Sequence, residues 1–222
     1  MGRVTETGAT TTSSDSSISD ENDTAAPVRT PFGARTMGLL LVVLGGIGFV
    51  ASFALAWEKY LSFVEPERTA SCSINLFVTC SAAMESWQGA LLGFPNPYLG
   101  VAAFPVVITT GVMLLLGTRL PRWYWLSLLA GTVVGQALVF FLMWTSFYDI
   151  VALCPYCMVV WTIMWPLLWY QIVRGVQKGD LRVGEGLRDA IAGNHVIILI
   201  IGYVVAVAWL MLAVGGPLVD SF

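Results

Sequence analysis

Four cysteines fall in two short-spaced pairs: Cys154 with Cys157, and Cys72 with Cys80. The first pair reads Cys-Pro-Tyr-Cys at the start of a long apolar run. A helix beginning near Leu153 puts Pro155 in its first turn, where a missing N–H costs little. Residues three apart share a helix face, and a small adjustment brings their Cα atoms to disulfide spacing. Exposed N–H groups at a helix N-terminus favour a thiolate, and CxxC thiols often have lowered pKa. Such a site opens and closes a disulfide and supplies a nucleophilic sulfur. A metal half-site or a static bridge are the alternatives, and the short ring at a membrane edge favours redox chemistry.

Cys72 and Cys80 flank "SINLFVT", apolar for a connecting loop because of Ile74, Leu76, Phe77 and Val78. The loop is expected to lie against the membrane surface. Four cysteines allow three pairings, so a structural bridge here stays open beside a relay. In a relay, reducing equivalents would pass from an outside protein to the CxxC by thiol–disulfide exchange. The lipid-soluble two-electron acceptor for a CxxC at the bilayer edge is a quinone. Its pocket would lie between helices, with apolar and aromatic walls and few polar groups. Trp87, Phe94, Tyr98, Phe140, Phe141, Trp144, Phe147, Trp161 and Trp165 are candidates for those walls, although interfacial belts account for most residues of this kind.

The elements that position these sulfurs are membrane helices. Of 222 residues, 57% are hydrophobic and 11% charged, which excludes an ordinary soluble domain. A span takes about 20 apolar residues. Five segments qualify: about Met37–Trp57, Leu99–Leu116, Trp123–Phe147, Leu153–Val173 and His195–Val214. The first lies too deep in the chain for a secretory signal. Residues 1–36, rich in Thr, Ser and Asp, are expected to form a disordered cytoplasmic tail. A transmembrane domain over 37–215, with an external loop 58–98 holding a short helix, and an external tail 216–222 complete the organisation.

Loop charge sets the orientation. Arg3, Arg29, Arg35, Arg119, Arg122, Arg174, Lys178, Arg182 and Arg188 fall on one side; only Lys59 and Arg68 fall on the other. The N-terminus is therefore expected inside, the C-terminus outside, and all four cysteines on the outer face, where disulfides persist.

The ordered set "CSINLFVTC", "SAAMESWQG", "GFPNPYLG" and "CPYC" resembles the vitamin K epoxide reductase family, in particular its bacterial members. The resemblance runs from about Met37 to Trp169, with a fifth helix as in bacterial relatives. It implies an all-α polytopic fold: a four-helix bundle around a quinone pocket, capped by the external loop. It also implies that a secreted thioredoxin-like (DsbA-like) oxidase is reoxidised and quinone reduced, which supports disulfide formation. Carried over, Cys157 would meet the quinone, and Cys154 would exchange with Cys72 and Cys80. Ser86 occupies the family's Ser/Thr position and would position or hydrogen-bond at the site. Asn96 stands where a polar residue hydrogen-bonds a quinone oxygen. Trp161 replaces the Tyr of vertebrate relatives; indole donates a hydrogen bond but has no phenolic proton, which argues against a hydroxyl role and against epoxide activity.

No thioredoxin-like segment follows the fifth helix up to Phe222, so the partner is expected to be a separate external protein. The membrane is expected to be the bacterial cytoplasmic membrane and the quinone a menaquinone. No metal or nucleic acid is implied. Rival readings are a soft-metal transporter, which few in-membrane charges support, and a structural membrane protein with static disulfides. Of the remaining residues, His195 reads as interfacial and Asp149 as a solvated loop carboxylate. Glu58 and Lys59 read as a surface pair. Thr132 and Gln136 read as cross-helix hydrogen bonders, and Gly45, Gly46 and Gly48 as points of close helix approach. Pro105 and Pro166 mark kinks.

Overall fold

Backbone polar groups in hydrocarbon must bond within their own segment, so long apolar stretches become helices. The computed structural model describes residues 33–65, 70–73, 79–150, 152–181 and 183–219. Among them the elements are α1 (Ala34–Val64), α2 (Ser81–Glu85), a 3₁₀ turn (Trp87–Ala90), α3 (Pro97–Leu115), α4 (Arg122–Thr145), a π-turn (Ser146–Ile150), α5 (Pro155–Gln177) and α6 (Glu185–Val219). Five helices are long and apolar enough to cross a membrane. The tail expectation for residues 1–32 falls outside the described residues; Ala34–Thr36 already belong to α1.

Two helices exceed the expected spans. α1 has 31 residues, about 46 Å at 1.5 Å per residue, against about 30 Å of hydrocarbon. Glu58 and Lys59 mark where the apolar run ends, not where the helix ends. The helix runs on until Glu65, whose following Pro66 disfavours helical backbone. α6 begins at Glu185 rather than His195, with non-helical backbone at Asn194. It also runs on through residues 216–219, which the sequence placed in a tail. Hydropathy registers only the apolar part of each helix.

α1 packs most extensively on α3 and also on α5, α5 on α4, and α6 on α5. Apolar burial drives little association in lipid, so close contact has to do it. Gly38 and Gly111 supply the closest backbone approach: a Cβ added at Gly111 would lie 2.7 Å from the Gly38 carbonyl oxygen. Gly45 and Gly48 also sit at contacts, the latter against the Phe104 ring, whereas Gly46 faces open space. The shared core draws Met37 and Leu41 from α1, Phe104 from α3, Trp125 and Met143 from α4, and Ile163 and Leu167 from α5.

Polar links fix the register. Thr132 of α4 and Gln171 of α5 exchange hydrogen bonds, with Gln171 Nε2 donating to Thr132 Oγ1 at 3.0 Å. Gln136 does not do the same: its Oε1 is buried and accepts no hydrogen bond. Pro166 has no N–H to offer Thr162 four residues earlier, and the Tyr203 hydroxyl of α6 donates to that carbonyl at 2.6 Å. Tyr203→Phe should cost about 1 kcal/mol in thermal unfolding in detergent. In a Pro166→Ala background the cost should nearly vanish, because the restored amide takes the carbonyl.

Candidate functional site

Helix direction brings the chemistry to one end of the bundle. The C-terminal end of α1, the N-terminal end of α3, the π-turn after α4 and the N-terminal end of α5 all meet there. Cys154 is the N-cap of α5, and Pro155 is its first residue. Cys72 and Cys80 form a disulfide across a separation of 8 residues. Cys80 Sγ lies 3.2 Å from Cys154 Sγ, with both residues buried. Cys154 and Cys157 are free thiols. Leu55, Met84 and the three buried cysteines form one cluster, with Tyr156 and Cys157 packed against it. The placement of Ile74, Leu76, Phe77 and Val78 lies outside the described residues.

The Thr79 amide donates to the Leu153 carbonyl at 3.1 Å, one residue before each of the two facing sulfurs. This main-chain bond fixes the register that makes Cys80, rather than Cys72, the neighbour of Cys154. A hydrogen bond with the Cys157 side chain lowers the pKa of the Cys154 thiol; burial opposes the shift, and the backbone amides of Cys157 and Tyr156 assist it. A lowered pKa means more thiolate at neutral pH. The midpoint of Cys154 alkylation should therefore lie below that of the unfolded chain. Cys157→Ala should move it upward, which iodoacetamide kinetics across pH would measure.

Behind the sulfurs lies a cavity of about 560 Å³ lined by Ser86, Asn96, Cys157 and Trp161. That volume suits a small-molecule site, commonly 300–1,000 Å³. Cys154 is not in its wall, so the two CxxC sulfurs divide: Cys154 faces the loop disulfide and Cys157 faces the cavity. Trp161, four residues after Cys157 and so on the same helix face, packs edge-to-face on Phe147. α3 and α4 scarcely touch along their lengths. Exposed Ala103 and Val106 on one side, and Ser127 and Gly131 on the other, line the cavity between them. The cavity thus opens sideways at the lipid-facing surface.

Ser86 and Asn96 build one unit. Ser86 Oγ caps the 3₁₀ turn by accepting from the Gly89 amide at 3.2 Å. Asn96 Nδ2 donates to the Gln88 carbonyl at 2.7 Å, and Asn96 Oδ1 accepts from the Leu91 amide at 3.3 Å. An amide nitrogen carries two protons, so one remains for a ligand oxygen. Residues 39–172 match the model of the vitamin K epoxide reductase family. The chain belongs to that family. No curated protein matches the chain significantly. Membership makes it a membrane oxidoreductase of quinone-linked disulfide chemistry, in a family that generally works with a thioredoxin-like partner. The cavity of this vitamin K epoxide reductase family member fits a quinone: it is apolar, laterally open, and offers the free thiol of Cys157 and a few donors.

Several expectations need correction. Of the nine aromatic candidates for the walls, most of them expected in interfacial belts, Trp161 alone lines the cavity. Tyr98, Phe140, Phe141 and Trp144 are exposed on the outer surface of the helices, and Trp87 and Phe94 are exposed in the 3₁₀ turn and the connection before α3. Phe147 is core, and Trp165 packs on Gly202. Phe104, Trp123, Tyr124 and Tyr156 line the cavity instead. Glu58 and Lys59 do not pair with each other. Glu58 is buried and accepts from Ser71, while Lys59 Nζ donates to the Met84 carbonyl at 2.8 Å. Lys59 also lines the cavity, as its one charged wall residue among the described residues. Asp149 is exposed in the π-turn. His195 follows the bend at Asn194, its ring beside that of Tyr170.

Proposed function

We propose that the protein reoxidises a separate extracytoplasmic thioredoxin-like thiol oxidase and passes the electrons to quinone, a menaquinone, in the bacterial cytoplasmic membrane. The observation that carries this reading is the Cys80–Cys154 sulfur contact with Cys157 one turn further on, in the cavity wall. The partner's dithiol reduces the Cys72–Cys80 disulfide. The Cys80 thiolate then attacks Cys154 of the oxidised CxxC, forming a Cys80–Cys154 bond and releasing Cys157 as thiolate. Cys72 attacks Cys80, re-forms the loop disulfide and releases Cys154. The pair Cys154 and Cys157 now holds two electrons, matching the arrangement in this structure. A quinone bound in the cavity accepts two electrons and two protons, and the CxxC closes again. Each cycle converts one dithiol and one quinone to one disulfide and one hydroquinone.

Ser86 holds the cap over the cavity, Asn96 offers its second amide proton to a quinone oxygen, and Trp161 packs the ring face. Basic Arg122, Arg174 and Arg188 sit at the end of the bundle opposite the sulfurs, where Arg122 donates to the Asp180 carbonyl at 2.8 Å and Arg174 pairs with the Asp180 carboxylate at 3.4 Å. This supports the cytoplasmic placement of that end and the outer placement of the cysteines. A soft-metal path has little support. Two cysteines are spent in a disulfide, and among the described residues no three His, Cys, Asp or Glu side chains converge.

The test is anaerobic turnover of purified protein with a reduced thioredoxin-like dithiol and a menaquinone analogue, followed by absorbance. One hydroquinone per disulfide is expected. Absence of dithiol-dependent quinone loss would reject the function. Labelling of the cysteines from the cytosolic side would reject the topology.

A further inference from the structure

Leu55, Glu58 and Lys59 lie three and four residues apart on α1 and share one face of the helix. Leu55 belongs to the sulfur cluster. Both carboxylate oxygens of Glu58 accept from Ser71, one from its backbone N–H at 3.3 Å and one from its hydroxyl. Ser71 directly precedes Cys72. Lys59 Nζ donates to the carbonyl of Met84, whose own amide bonds back to the Cys80 carbonyl at 2.9 Å. Each arm of the cysteine loop is therefore tethered to α1 by its own side chain. The Cys72 arm hangs from the acidic residue and the Cys80 arm from the basic one. Inside the loop, Ser73 and Thr79 hydroxyls bond across at 2.7 Å and close the ring.

We propose that Glu58 and Lys59 are positioning residues that clamp the two arms of the loop so that the Cys72–Cys80 disulfide presents Cys80 to Cys154. This rests on the relay reading above and adds the device that aligns it. Exchange needs the attacking sulfur in line with the bond it breaks, and access controls its rate. Glu58 is buried, and a buried carboxylate needs its donors. Loss of either member of the Glu58–Ser71 contact should release the Cys72 arm. The extension of α1 beyond the apolar run is what carries both groups to the height of the loop.

The test uses the full chain in a Cys157→Ser background, where thiol–disulfide exchange is read without quinone. Under mild oxidation, Cys154 attacks Cys80, the Cys80–Cys154 bond forms and Cys72 leaves as a thiol. Formation is followed by alkylation gel shift. Glu58→Ala and Lys59→Met should each slow formation about tenfold. Glu58→Gln and Lys59→Arg, which keep an acceptor and a donor, should recover most of the rate. Glu58→Ala combined with Ser71→Ala should be no slower than the slower single variant. In the protein with all four cysteines, Glu58→Ala should lose partner-driven turnover. It should retain quinone reduction driven by dithiothreitol, which reduces the CxxC directly. Exchange within twofold of the parent in both alanine and methionine variants would overturn the clamp, as would equal loss of both activities. Absence of quinone reduction in the parent, with exchange still following this pattern, would reject the relay and leave the clamp standing.

Discussion

Cys157→Ser is expected to lower dithiol-driven quinone reduction at least 1,000-fold (about 4 kcal/mol at 1.4 kcal/mol per factor of ten) while leaving the other three sulfurs able to exchange. The division of the CxxC explains why. Cys154 is buried against Cys80, 3.2 Å away, and has no part in the cavity wall; Cys157 is in that wall. With serine at 157 no cysteine among the described residues lines the cavity, the thioethers of Met84 and Met164 carry no thiol to exchange, and a hydroxyl is far less nucleophilic than a thiolate at neutral pH. The remaining disulfide redistributes between Cys72–Cys80 and Cys80–Cys154. Cys72 should then become alkylatable in the oxidised variant, whereas in the oxidised parent it is not. Quinone loss measured by absorbance gives the first result and a gel shift on Cys72 gives the second. Turnover above one-tenth of the parent rate would exclude Cys157 as the sulfur that delivers electrons.

The asymmetry between the two loop cysteines was not legible in the sequence. Spacing presents Cys72 and Cys80 as equivalent flanks of a loop. What separates them is the main-chain bond from Thr79 to Leu153, a contact between segments 74 residues apart that no local pattern encodes. The CxxC division, by contrast, was implied by the family resemblance, while helical period alone set both cysteines on one face. Cys154 is the cap and Cys157 begins the face that continues through Trp161, so the latter two share a wall. Five spans were legible because hydrocarbon demands apolar runs. Their ends were not, because Glu58 and Lys59 are compatible with helix and change only the solvent. Which of the aromatic candidates would line the cavity was not legible for a related reason. In lipid an outward-facing Trp or Phe is stable, so aromatic character does not indicate which way a residue faces. Trp144 and Phe140 are exposed where a soluble protein would bury them. The cavity wall is instead made partly by small residues, Gly131 and Ser127, whose signal is the absence of a side chain.

The cap and the bundle depend on each other through α1. Its lower half sets the distance to α3 and α5. Its C-terminal turns hold the cysteine loop through Glu58 and Lys59. The cavity lies between, so the sulfur contact and the quinone wall share one rigid element. A change in α1 packing should then reach both the exchange step and the cavity.

Gly111→Val tests that dependence and should destabilise the bundle by about 3 kcal/mol. A Cβ at Gly111 would meet the Gly38 carbonyl oxygen at 2.7 Å, Val42 Cγ2 at 2.8 Å and the Val42 amide nitrogen at 2.9 Å. Two of those three atoms are backbone, so no rotamer change relieves the overlap and α1 must move away from α3. Gly46→Val is the matched control, since a Cβ there meets nothing within 4 Å and its outward face costs no packing. Thermal unfolding in detergent should show a large fall in Tm for Gly111→Val and a small change for Gly46→Val. The rate of Cys80–Cys154 exchange in the Cys157→Ser background should fall with the first and hold with the second. Equal Tm values in the two variants would mean that the α1–α3 approach does not set the spacing of the bundle. A fall in Tm with unchanged exchange would show that the loop and the cavity are held independently of it.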